Sequence, residues 1–263
     1  MRLAAALEFS ARTDPGRVRS QNEDSLAFDA ENGFALLADG MGGYNAGEVA
    51  SSLAVAMIAG GLKARLATVA GSGRREDISA VNGIGILLHH LIGQANSEIY
   101  RRSMMQSKLR GMGTTLVAAV FCDNKVVIAH IGDSRLYRLR GPLLQRLTRD
   151  HTVLQERIDR GELTAEEAAN LPPKGLLTRA LGAEAVVPVE VHSGDVLPGD
   201  VFLLCSDGLS DMVSEIAIGQ TLASKGDLTE ITRQLVKIAN DNGGMDNISV
   251  LAVRVNQAFP AAQ

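Results

Sequence analysis

Cysteine, tryptophan and aromatic residues are scarce in this chain. Among its 263 residues there are two cysteines and no tryptophan, and Phe, Tyr and Trp together reach 3%. Cys122 and Cys205 make no disulfide framework and sit at no metal-ligand spacing, so a reducing cytoplasm is the expected compartment. So few aromatics offer no stacking platform for nucleic-acid bases. Positive charge is not in excess either: 26 Lys and Arg stand against 30 Asp and Glu, a net charge of −4. Neither nucleic acid nor a membrane surface is therefore expected as a partner. The longest apolar run, Leu53–Leu62, falls well short of the ~20 residues of a membrane span. Near the N-terminus, Glu8 interrupts Leu3–Leu7 before it reaches the length of a signal-peptide core. No Pro- or Ser-rich linker and no internal repeat appears, so residues 1–263 are read as one domain.

What remains is ordinary globular composition, 46% hydrophobic and 21% charged, which excludes a disordered chain. β-type runs come early, at Leu7–Thr13, Ser25–Phe28 and Gly33–Leu37. Two long helical stretches follow. One starts near Asn45, with Glu48 at capping-box spacing; the other runs from about Ser79 to Met104. Ile84, Leu87, Leu88, Leu91, Ala95 and Ile99 recur at three and four along the second, one apolar stripe, and the Met104–Met105 pair is assigned to the core with it. His89–His90 is assigned to an exposed face. Strands resume at Thr114–Phe121, Lys125–His130, Arg135–Leu139 and Leu143–Leu147, and again at Val186–His192, Val201–Cys205 and Ile248–Val255. Asp227 with Glu230 opens a late helix that ends near Asn240, and Thr164 with Glu167 opens a short one that Pro172–Pro173 stops. Grouped strands and paired helices predict an α+β fold with mainly antiparallel sheets.

The informative feature is where aspartates fall. Asp39–Gly40 follows the apolar run Phe34–Ala38, Asp207–Gly208 follows Val201–Ser206, Asp133 follows Val126–Gly132, and Asp246–Asn247 precedes Ile248–Val253. A single Asp-Gly is a common turn. Four acids at the margins of buried-type strands are costly unless paired or bound to metal. If they converge, an all-oxygen site selects Mg²⁺ or Mn²⁺ over Zn²⁺, and two ions would neutralise the carboxylates. Without a side chain, Gly40 can bring its carbonyl close to an ion. Arg17 and Arg19 precede Glu23–Asp24 in a loop that could hold an anion beside such a site, or simply be a salt-bridged surface loop.

Six ordered motifs carry a resemblance. They are Gly16–Ser25, Leu37–Gly43, Gly111–Thr115, His130–Arg135, Leu204–Asp211 and Gly243–Val250, spanning nearly the whole chain. In these the sequence resembles the bacterial branch of the metal-dependent serine/threonine protein phosphatases, the type 2C or PPM class. The resemblance implies a four-layer α-β-β-α sandwich, two mainly antiparallel sheets flanked by helix pairs, with the metals at one end. It implies that Asp39 bridges two core ions, that the Gly40 carbonyl binds one and Asp207 and Asp246 the other, and that Glu23 and Asp24 act through bound water. Asn247 supports that set from behind. Arg19 would hold the substrate phosphate, Asp133 with Asp207 a third, weaker ion, and Thr148–Ala185 would be the flap beside the site.

From this follows the expected reaction: a metal-bridging water attacks the phosphorus of phosphoserine or phosphothreonine in proteins, and a Ser/Thr kinase is opposed. Neither cysteine has an Arg six positions on, and no Walker loop is present, so cysteine-phosphatase and P-loop chemistry are not expected. Eukaryotic relatives often have a proton-donating His where this chain has Met41, the residue usual in the bacterial branch, which cannot donate; metal-bound water is the preferred donor, with His130 and His151 as rivals. A monomer is expected. The competing readings are a phosphatase of anti-sigma-factor antagonists and a non-catalytic phosphoprotein-binding relative.

Overall fold

The computed structural model describes residues 3–43, 46–71, 80–169 and 176–259. Eleven strands are present among them: β1 (Leu7–Asp14), β2 (Asp24–Asp29), β3 (Phe34–Met41), β4 (Gly113–Thr114), β5 (Leu116–Cys122), β6 (Lys125–Ile131), β7 (Arg135–Arg140), β8 (Leu143–Arg146), β9 (Glu190–Asp195), β10 (Val201–Cys205) and β11 (Ile248–Val255). Seven α-helices accompany them: α1 (Ala46–Gly71), α2 (Ala80–Met105), α3 (Val153–Asp159), α4 (Ala165–Ala169), α5 (Asp207–Ser210), α6 (Glu215–Leu222) and α7 (Leu228–Asp241).

One sheet has the order β1-β11-β10-β7-β8 and the other β2-β3-β5-β6-β9, with β4 paired to β3. Every pairing is antiparallel. The central strands are apolar on both faces because both faces are covered. In β3, Phe34, Leu36 and Ala38 pack toward α1 and α2, while Ala35 and Leu37 enter the layer between the sheets. In β11, Leu251, Val253 and Val255 enter that same layer, whereas Ile248, Val250 and Ala252 pack toward α7. Three apolar layers thus hold four layers of secondary structure, α-β-β-α. Each large side chain buried in them contributes roughly 1.5–3 kcal/mol.

The helix patterns explain their partners. Ile84, Leu88, Leu91, Ala95 and Ile99 of α2 form the buried stripe, which meets α1. At the crossing, a Cβ on Gly61 would stand 2.2 Å from Leu91 Cδ2, so glycine sets how close the helices come. Met104 and Met105, assigned to the core from sequence, are 66% and 71% exposed. The stripe advances from Ile99 to Ser103, and the two methionines fall on the open side. His89 and His90 are exposed, as expected. Helix α1 is long and apolar enough to cross a membrane over Ala46–Leu66, with a mean hydropathy of 1.4, which counting uninterrupted runs had missed. In the fold its Ala50, Ala54, Ile58 and Leu62 are buried in the layer against the sheet and α2.

Two boundaries differ from the sequence pattern for local reasons. The expected strand Val186–His192 forms only from Glu190. Pro188 has no N–H for a ladder, and the Asn96 side chain takes the carbonyls of Glu184 and Ala185 instead. The run Thr114–Phe121 breaks at Thr115, whose N–H turns to Asp39. Helices α3, α5 and α6 were not expected, being too short to show a period. The capping box at Thr164 forms reciprocally, Glu167 N–H to Thr164 Oγ1 and Thr164 N–H to Glu167 Oε2. Asp227 caps α7 through Glu230 N–H. Asn45 and Pro172–Pro173 lie outside the described residues.

Candidate metal centre

Each predicted acid stands at or just beyond a strand end. Asp39 is in the last turn of side chains of β3, directly opposite Asp24 of β2. Its N–H donates to Thr115 Oγ1 at 3.0 Å, and its carbonyl accepts from Thr115 N–H and Thr114 Oγ1, each at 2.8 Å. Gly40 is forced to be glycine: a Cβ there would lie 2.2 Å from the Gly47 carbonyl oxygen, where α1 begins. Asp207 opens α5 immediately after β10, and a Cβ on the next residue, Gly208, would stand 2.0 Å from the Asn247 carbonyl oxygen. Asp246 precedes β11; its Oδ1 accepts the Asn247 N–H at 3.0 Å and its Oδ2 accepts from Arg19 Nη2 at 2.8 Å.

Asn247 fastens the loop that carries Arg19 and Glu23. Its Nδ2 donates to the carbonyls of Pro15 at 3.1 Å and Gln21 at 2.8 Å, and its Oδ1 accepts the Glu23 N–H at 2.9 Å. The expected supporting role of Asn247 is thereby given a geometry.

The electrostatics show which acids share a field. Burial first, then the charges of Asp24, Asp207, Asp133 and Asp246, hold Asp39 well above the usual carboxylate range. Burial also pushes Asp24 up to about 7, with Asp207 and Asp246 adding to it, although Ser249 and Ser206 donate to its carboxylate. Asp133 is pushed up to about 7 by burial and then by Asp207 and Asp150. Glu23 is raised by burial. All these acids keep some solvent exposure, so the cluster is crowded yet open on one side. Arg19 is the cation beside it, its side chain 50% exposed and its pKa raised by the bond to Asp246.

The residues fit a hard divalent cation. The donor set is all oxygen, its carboxylates raise one another's pKa, and Asp24 Oδ1 is buried without a hydrogen-bond partner among the described residues. His130 and His151, candidate proton donors from sequence, have other partners. His130 Nε2 donates to the Arg149 carbonyl at 2.9 Å, and His151 lies between Gly132 and Glu190. Met41 packs against Gly113. Cys205 is buried in β10, its thiol pushed up to about 12 by burial, and is inert as expected.

Sequence reasoning missed the hydroxyls. Ser206 Oγ donates to Asp24 Oδ2 at 2.9 Å, Thr13 Oγ1 and Ser249 Oγ are 2.7 Å apart, and Thr115 holds Asp39. Their signal was available: a lone Ser or Thr at the end of an otherwise apolar strand needs a polar partner.

A family model described as protein phosphatase 2C matches residues 17–251. The chain belongs to the protein phosphatase 2C family. It is 41% identical over 245 residues to the serine/threonine phosphatase stp of Listeria monocytogenes, covering 92% of this chain and 93% of that one. To the serine/threonine protein phosphatase PstP of Mycobacterium tuberculosis it is 38% identical, over 97% of this chain and 46% of that one. The crystal structure of PstP/Ppp superposes with a TM-score of 0.83 at 37% identity, covering 96% of this chain and 100% of the other. The catalytic domain of PstP in complex with two manganese ions superposes with a TM-score of 0.78 at 37% identity, covering 96% of this chain and 99% of that one. The protein phosphatase 2C fold is thus the α-β-β-α sandwich seen here, and the family accounts for an acid cluster built for Mn²⁺ or Mg²⁺.

Proposed function

We propose that this chain hydrolyses phosphoserine and phosphothreonine in proteins with Mn²⁺ or Mg²⁺, and that it opposes a Ser/Thr kinase in the cytoplasm as a monomer. The observation that carries the reading is the convergence of Asp24, Asp39, Asp133, Asp207 and Asp246 beside the half-exposed guanidinium of Arg19. In this proposal Asp39, the Gly40 carbonyl, Asp207 and Asp246 hold two core ions, Asp133 with Asp207 a third, and Glu23 and Asp24 reach them through water. The ions, when bound, supply Lewis acidity toward phosphoryl oxygens and lower the pKa of water.

The chain's own groups do the rest. One Arg19 nitrogen is held by Asp246 while half of the side chain stays exposed, and a planar guanidinium so placed can orient a phosphate through two parallel bonds. Thr115 fixes Asp39 from behind, and Asn247 fixes the Arg19 loop. Met41 has no proton to give, so the leaving alkoxide takes its proton from water.

The test is hydrolysis of a phosphothreonine peptide with Mn²⁺, then with EDTA. Activity that EDTA abolishes and Mn²⁺ restores is expected. Peptide binding without turnover, or turnover indifferent to EDTA, would overturn the proposal.

A further inference from the structure

Outside the acid cluster, one carboxylate gathers two distant parts of the chain. Glu190 starts β9, opposite His130 of β6. Its Oε1 accepts from His151 Nε2 and from Arg179 Nη1, each at 3.0 Å. These donors sit near the two ends of the segment Thr148–Ala185, described over residues 148–169 and 176–185. The backbone closes the same gap: Thr178 N–H donates to the His151 carbonyl at 2.9 Å, and Thr152 bridges Leu177.

His151 also reaches the acid cluster. Its Nδ1 accepts the Gly132 N–H at 3.0 Å, so the ring proton is on Nε2, the atom that faces Glu190. The His151 N–H donates back to the Gly132 carbonyl at 2.9 Å. One residue therefore grips both polar groups of Gly132. This glycine has φ +97°, and a Cβ there would be 2.6 Å from Thr115 Cγ2. Beyond it, Ser134 Oγ lies 2.7 Å from Thr115 Oγ1, the atom that accepts the Asp39 N–H. Asp133 is thus held in a turn between His151 on one side and Thr115 on the other. His130, His151 and Glu190 are close enough to share a cation, but Arg179 already brings the positive charge to Glu190.

We propose that Glu190 is a positioning residue: it fastens both ends of the 148–185 segment to one carboxylate and, by fixing the His151 tautomer, keeps the Asp133 turn in place against Thr115 and Asp39. The inference rests on the phosphatase reading above. A phosphoprotein that touches the segment feels both the loosened segment and the loosened Asp133 turn; a small phosphate ester that touches only the acid cluster feels the turn alone.

The test compares wild type, Glu190→Ala and Glu190→Gln. Without metal, ¹⁵N NMR of the imidazoles reads the His151 tautomer, and amide hydrogen exchange reads the Gly132 N–H. With Mn²⁺, kcat and KM are measured for a phosphothreonine peptide and for p-nitrophenyl phosphate. Glu190→Ala is expected to mix the tautomers and speed Gly132 exchange. It should lower peptide kcat/KM about three- to thirtyfold, mostly through KM, and lower kcat for the small ester by a smaller factor with its KM unchanged. Glu190→Gln keeps an acceptor oxygen and should restore the tautomer and most of the peptide KM. An unchanged tautomer in Glu190→Ala, or equal losses on both substrates, overturns the proposal. If wild type hydrolyses neither substrate, the phosphatase reading fails, and the ring and amide measurements still decide the clamp.

Discussion

Asp24 and Asp39 face each other directly across β2 and β3, two buried carboxyls in one antiparallel register. Without a cation, such a pair opposes folding. Asp39→Asn should therefore raise the melting temperature of the metal-free protein while removing Mn²⁺-dependent turnover. The stability gain should be on the order of 1 kcal/mol, because Asn at this buried position has no charge to lose on folding. Calorimetry in EDTA and a phosphopeptide assay check the two halves; a destabilised variant would contradict the argument.

The raised carboxylates fix a pH dependence. An unfolded Asp gives up its proton near pH 4, whereas Asp24 and Asp133 do so only at about 7 in the fold. Between those values the native state holds more protons than the unfolded state, so metal-free stability falls as pH rises through the window. Urea denaturation in EDTA from about pH 4.5 to about 7.5 should show that fall, and Asp133→Asn should make it shallower. The stabilisation by added Mn²⁺ should grow over the same range, since protons and ions compete for the same oxygens.

Arg19→Ala should weaken phosphate recognition. A charge-assisted bond contributes about 1.5–3 kcal/mol, so kcat/KM should drop roughly 10- to 100-fold. Arg19→Lys should recover little, because an ammonium lacks the planar fork. Steady-state kinetics on a phosphopeptide read both; unchanged constants would remove Arg19 from the site.

Asn247→Ala removes two donated bonds and one accepted bond that tie residues 15–23 to β11. Three bonds at roughly 0.5–1.5 kcal/mol each predict a loss of about 2–4 kcal/mol. Chemical denaturation should show it. Hydrogen exchange of Glu23 N–H should rise in step, and an unchanged protection there would refute the latch.

The acids were legible in the sequence because they break apolar strands at their margins, and the topology then brings those margins together. Asp39, Asp133, Asp207 and Asp246 were found this way; the strand and helix pattern gave the α+β class, and the four-layer sandwich came from the family resemblance. The hydroxyl partners were not, because Ser206 and Ser249 acquire meaning only when β10 and β11 lie side by side. Met104 and Met105 misled for a simpler reason: two adjacent apolar residues on a helix cannot both follow a stripe that advances by three or four. Glu190 could not be singled out at all, since its two donors stand 39 and 11 residues away in sequence.

The strand β11 lies between β1 and β10, pairing the last strand among the described residues with the first. A polypeptide still emerging from the ribosome therefore lacks the middle of one sheet, Asp246 and the Asn247 latch at once. Truncations that stop before Ile248 should yield insoluble or proteolysed product rather than a weak enzyme. Synthesis itself keeps hydrolytic capacity off until β11 has been made.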